Sequence, residues 1–107
     1  MNKLKEFLEE VGFRFHNSPL YRDNQCDWIA YKRTVSKREC TSNEKPVQIV
    51  VAYFSSTDAK YEGVEIDLTA EFNGIWWQLK AYSLSPSEAI EKLSEIESSL
   101  VKAWEAL

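Results

Sequence analysis

Residues 64–82, VEIDLTAEFNGIWWQLKAY, constrain the fold more than any other stretch of the chain. Val64, Ile66, Leu68, Ala70 and Phe72 alternate with Glu65, Asp67, Thr69 and Glu71. That is the period of a strand with one buried face. Asn73-Gly74 follows, the dipeptide best suited to a two-residue hairpin turn, because both central residues need positive φ. Ile75, Trp77, Leu79 and Ala81 then alternate with Trp76, Gln78, Lys80 and Tyr82. A two-residue turn sets the register. It pairs Phe72 with Ile75, Ala70 with Trp77, Leu68 with Leu79 and Ile66 with Ala81 on one face. It pairs Glu71 with Trp76, Thr69 with Gln78, Asp67 with Lys80 and Glu65 with Tyr82 on the other. Both strands agree on which side is apolar, so the adjacent indoles separate: Trp77 goes to the core and Trp76 stands on the polar face.

A sheet with one apolar face needs a cover. After the hairpin, Ser85 as N-cap, Pro86 at N1 and Glu88 at N3 make a capping box. Ile90, Leu93, Ile96, Leu100, Val101, Trp104 and Leu107 form one helical stripe. Glu88, Glu91, Lys92, Glu95, Ser99, Lys102 and Glu105 lie away from it. A shorter stripe, Leu4, Phe7, Leu8 and Val11, predicts a helix between an Asn2 cap and a Gly12 stop. Between the helices, residues 13–16, 26–35 and 47–54 read as strands, the last apolar enough to be covered on both faces. The segments 17–25, 36–46 and 55–63 read as connections. The order is α-β-β-β-β-β-α, with the first strand the weakest. No helix crosses between strands, so the expected fold is a single α+β domain over residues 1–107. It has an antiparallel four- to five-stranded sheet, with a short N-terminal and a long C-terminal helix on one face.

The length of 107 residues supports a core without disulfides or metal. Hydrophobic residues at 44% and charged residues at 28% exclude the disordered class. Acids stand in MNKLKEFLEE where a signal peptide needs an apolar run, and no run elsewhere is long enough to cross a bilayer. Cys26 and Cys40 lack C-x-x-C spacing and read as free thiols of a reducing, cytoplasmic compartment, with a disulfide between them as the alternative. Together with His16 they supply three ligands where a structural zinc site takes four, so neither a metal nor a cofactor is expected. Charge is uneven. Residues 14–46 hold seven basic and four acidic residues, a net +3, whereas residues 58–107 hold four and ten, a net -6.

Catalytic chemistry has little to stand on. His16 is the only histidine, and nothing near it in sequence marks a nucleophile or an orienting carboxylate. Three glycines in the chain exclude a phosphate loop or dinucleotide fingerprint. Trp76 and Tyr82, on the face away from the core, are the best candidates for partner contact, as an interface anchor or as a stacking platform for unpaired bases. The ordinary alternative leaves Trp76 lying over Gln78 or Glu71 and half covered by a loop. Glu65, Asp67 and Glu71 share that face, as a solvated polar surface with Asp67 paired to Lys80. Glu65 and Asp67 stand about 6.6 Å apart, near the spacing of successive phosphates, and could offer a nucleic-acid-like surface to a basic protein. The segment KRTVSKREC supplies Lys32, Arg33, Lys37 and Arg38 as alternative nucleic-acid contacts, or as a solvated loop.

The last third, FNGIWWQLKAYSLSPSEAIEKLSEIESSLVKAWEAL, resembles small phage and prophage proteins, a pool that includes anti-CRISPR inhibitors of host defence. That resemblance implies action by binding a protein complex and assigns no residues. The expected function is therefore a non-enzymatic protein-binding module, in the manner of a phage-encoded inhibitor of a host nucleic-acid-handling complex. A single-strand nucleic-acid binder is the alternative, and a homodimer through the open sheet face is compatible with either.

Overall fold

A computed structural model describes residues 2–16, 27–38, 46–55 and 62–107, without the side chains of residues 2, 55, 62 and 81–84. Cys26, Cys40, the connection at 17–25, most of those at 36–46 and 55–63, and the Asn2 cap fall outside this description. The elements are α1 (Asn2–Glu10), β1 (Arg14–His16), β2 (Trp28–Arg33), β3 (Gln48–Ser55), β4 (Glu62–Phe72), β5 (Ile75–Leu84) and α2 (Pro86–Glu105). The strands form one antiparallel sheet in the order β1-β2-β3-β4-β5. Sequential neighbours in one antiparallel sheet are what strands without crossover helices between them build.

The hairpin forms as its sequence dictates. Asn73 and Gly74 take φ of 53° and 77°, the signature of a type I′ turn. Phe72–Ile75, Glu71–Trp76, Ala70–Trp77, Thr69–Gln78, Leu68–Leu79 and Asp67–Lys80 face one another. Beyond them the ladder slips. Glu65 lies opposite Ser83 and Val64 opposite Leu84. Residues 81 and 82 therefore share the place opposite Ile66, a β-bulge that overturns the expected pairs Ile66–Ala81 and Glu65–Tyr82.

The core lies between one sheet face and the two helices. Val64, Ile66, Leu68 and Ala70 of β4, Ile49, Val51 and Tyr53 of β3, and Trp28 and Ala30 of β2 pack against Leu4, Leu8, Ala89, Leu93, Ile96, Leu100 and Trp104. Each large apolar side chain buried there stabilises by about 1.5–3 kcal/mol, so the strand–helix interface dominates. Trp77 meets Trp104 edge to face at 6.5 Å between ring centres. It is half-buried and does not fill the core as expected, because β5 is the edge strand. Ile75, at the turn, is 57% exposed. Two helix predictions fail at the ends of their stripes: Leu107 and Val11 are exposed, since each lies beyond the last turn of its helix. Ala89, too small to stand out in the pattern, is buried.

Local chemistry fixes both helix ends. The Ser85 hydroxyl accepts the Glu88 N–H at 3.3 Å and donates to the Glu88 carboxylate at 2.9 Å, which satisfies an otherwise orphaned donor. At the end of α1, Phe13 N–H reaches Leu8 O at 2.9 Å and Gly12 N–H reaches Glu9 O at 3.1 Å. With Gly12 at φ +95° this is a Schellman stop, and buried Phe13 and Leu8 supply its apolar contact. It turns the chain directly from α1 into β1.

Candidate functional site

The sheet face away from the helices carries the residues with functional promise. From β1 to β5 its rows run Arg14, Tyr31, Val50, Asp67, Lys80, and then Arg33, Gln48, Thr69, Gln78. Trp76 lies at the turn end of β5, opposite Glu71, and its side chain is 52% exposed. Beside it Ile75 is also exposed, on the opposite side of the strand. The tip of the hairpin thus presents two large apolar side chains to solvent. The side chain of Tyr82 lies outside the described residues.

The carboxylates do not form the solvated row the alternation suggests. Asp67 is only 7% exposed. Its Oδ2 accepts from Gln78 Nε2 at 2.8 Å, while Oδ1 is buried without a hydrogen bond. Burial pushes its pKa up from 3.8, against the Gln78 hydrogen bond and the Lys80 charge, with Glu65 adding to the rise. The expected Asp67–Lys80 ion pair is replaced by a diagonal one, Lys80 Nζ to Glu65 Oε2 at 3.4 Å. Glu65 is half-buried and Glu71 likewise. The acids at 65, 67 and 71 therefore share one face of one strand, but only part of their charge meets solvent. The image of evenly spaced phosphates does not hold at Asp67.

The four cations expected to act together are divided. Lys32 points to the core side, where Nζ lies 3.4 Å from Glu97 Oε1, 3.4 Å from Val11 O and 5.2 Å from the centre of the Phe13 ring. Arg38 stacks 4.6 Å over Phe72 and 5.3 Å over Trp104, and its Nη1 donates to the carbonyls of Trp104 and Leu107. Trp104 Nε1 returns a bond to Arg38 O at 2.7 Å. A cation over an aromatic ring at the carbonyl end of a helix is favoured twice, by the ring quadrupole and by the helix dipole. Arg38 is thus the clamp of α2. Arg33 and Lys37 are exposed.

Glu97 and Glu105 are the partners that pattern reading missed. Glu97 holds Lys32 and accepts from Thr34 Oγ1 at 3.2 Å, and Glu105 accepts from the Ser36 hydroxyl and the Lys37 N–H. Glu105, which the helical stripe predicts to face solvent, is half-buried. A signal existed for Glu97: apolar Leu93 and Val101 stand four residues to either side, so it sits within a helical row that faces the sheet. His16 is exposed at the end of β1, with its ring 6.3 Å from Tyr31. Among the described residues no three His, Cys, Asp or Glu side chains are placed to hold a metal ion, and no helix is long and apolar enough to cross a membrane. No family model, curated protein or solved structure matches the chain.

Proposed function

We propose that the chain is a non-enzymatic protein-binding module whose contact surface is the tip of the β4–β5 hairpin, with Trp76 as its anchor. The half-exposed indole of Trp76 carries this reading. A large aromatic held on a rigid hairpin loses little conformational freedom on docking, and such residues dominate interface energetics. The nucleic-acid alternative needs Lys32 and Arg38 free to meet phosphates, whereas both make intramolecular contacts. On this reading the partner is a cytoplasmic host complex that handles nucleic acid, the class implied by the resemblance of residues 72–107, in sequence alone, to small phage and prophage proteins. Glu65 and Glu71, on the Trp76 side of the strand, would meet the basic surface of such a complex at the rim.

The experiment is a tryptophan-fluorescence titration with single- and double-stranded DNA and RNA, at low and then moderate salt. It is followed by capture of candidate host complexes on the immobilised protein and on its Trp76→Ala variant. The reading expects no salt-sensitive quenching by nucleic acid, and capture that falls at least tenfold with Trp76→Ala. Quenching that weakens steeply with salt and disappears in Trp76→Ala makes the chain a nucleic-acid binder instead. Capture unchanged by Trp76→Ala removes the hairpin tip as the site.

A further inference from the structure

At the opposite edge of the sheet from Trp76, we infer a docking site for an extended acidic segment of a partner protein, which adds as a strand beside Arg33–Val35, where β2 ends and no described residue pairs with it on that side. This goes beyond the hairpin surface and does not depend on it. Strand β1 is three residues long and covers β2 only from Ile29 to Tyr31. Ahead of β1 the chain turns at Gly12 into α1, so no described strand residue lies opposite Arg33 on that side, while Val11, Gly12 and Phe13 stay against the Lys32 side chain. On its other side β2 remains bonded to β3 through Arg33, and Thr34 N–H donates to Val47 O at 3.0 Å. In an antiparallel ladder alternate residues direct both backbone groups to the same side. Thr34 faces β3, so Arg33 and Val35 turn their N–H and C=O groups outward. Among the described residues no backbone hydrogen bond meets them there.

The space beside this edge is shaped. A groove of about 440 Å³ runs between Lys32–Val35 and α2, lined on the helix side by Ser94, Glu97, Ser98 and Val101. Val35 is 90% exposed, which leaves a β-branched side chain available to pack on an added strand. An incoming strand hydrogen-bonds the edge and sends alternate side chains to opposite faces. One set meets Ser94 and Ser98 and is small and polar. The other lies beside Val35 and Arg33, so it is apolar at the first and acidic at the second. The charge at this edge selects that occupant. Arg14, Arg33 and Lys37 are all exposed, while Glu97, the acid in the groove, is held by Lys32 and Thr34. The same cations disfavour a second copy of this chain, whose identical edge would bring Arg33 and Lys37 against their equivalents.

The test is fluorescence anisotropy with a dye-labelled eight-residue peptide that alternates threonine with valine and glutamate. Three comparisons accompany it: the peptide with lysine for glutamate, the peptide N-methylated on its edge-facing amides, and the protein variants Val35→Pro, Val35→Thr and Arg33→Glu, each checked for fold by circular dichroism. The proposal expects saturable binding of the acidic peptide, at least tenfold weaker for the lysine and N-methylated forms. Val35→Pro should weaken it at least tenfold, since proline removes the N–H. Val35→Thr should keep it within about threefold, since threonine retains the backbone groups and the β-branch. Should Val35→Pro fail to fold, Arg33→Glu carries the test by reversing the peptide preference. Absence of binding at millimolar peptide, or equal binding of the N-methylated form, overturns the proposal. A concentration-dependent dimer that Val35→Thr preserves and Arg33→Glu alters would assign the edge to a second copy and overturn it too.

Discussion

Leu68 and Asp67 are neighbours on β4, both buried, and they face opposite sides of the sheet. Leu68 enters a closed apolar layer beneath α2. Asp67 enters a mixed surface in which one carboxylate oxygen finds Gln78 and the other finds no partner. The first environment is the usual product of a hydrophobic pattern meeting a helix. The second works against stability, because a carboxylate desolvated without full hydrogen bonding costs free energy. One face of this sheet is built for folding. The other tolerates a local cost at Asp67.

The strongest test of that contrast is Leu68→Ala. It should lower stability by about 2–5 kcal/mol, read from the midpoint of chemical denaturation. A loss well below that would mean that the two faces are alike. Arg38→Ala should cost about 1–3 kcal/mol through its ring contacts and its bonds to the end of α2. Arg38→Lys should recover less than half, because a point charge cannot both stack and fork. Gly12→Ala should cost about 1–2 kcal/mol, the penalty of a left-handed conformation for a residue with a Cβ.

Asp67→Asn is the sharper probe of the outer face, because its sign depends on pH. In the fold the carboxyl titrates above 3.8, and in the unfolded chain near that value. Between the two, the folded chain holds the extra proton, so this group's contribution to stability is present in acid and falls as pH rises through the interval. The asparagine variant lacks that fall. Its stability relative to the parent should therefore climb from about pH 4 upward and then level off, as seen in paired urea melts across pH. A relative stability that drops over the same range would show Asp67 to be a stabilising charge. The smallest effect belongs to Trp76→Ala, which should change stability by no more than about 0.5 kcal/mol while it alters partner capture.

The hairpin was legible because its information is local: alternation, a turn dipeptide and a two-residue loop define register without reference to the rest of the chain. The capping box of α2 was legible for the same reason. The bulge at residues 81–82 hides in a run that reads as unbroken alternation, although the apolar series on odd numbers ends at Ala81 and resumes at Leu84, opposite Val64. The burial of Asp67 was not legible, because a polar residue at an outward position says nothing of how closely its neighbours enclose it. Lys32 and Arg38 looked like members of one basic cluster. Their true partners, Glu97 and Trp104, lie more than sixty residues away in sequence, beyond the reach of any spacing rule. Trp76 was placed on its proper face by the register alone.

The clamp at Arg38 also bears on the order of events in folding. The turn of the hairpin closes over two residues, whereas Arg38 meets Trp104 across a separation of 66. Loop-closure entropy grows with the logarithm of that separation, so the clamp is dearer to form by roughly 3 kcal/mol. The hairpin can assemble within about 1–10 μs on local contacts, and the clamp must wait until β2 and α2 are already side by side. On the return path the sequence reverses. The last turn of α2, held from outside the helix by one distant arginine, should shed its amide protection before the middle of β4 does, so hydrogen exchange would show the molecule parting first at a seam where its two halves are tied.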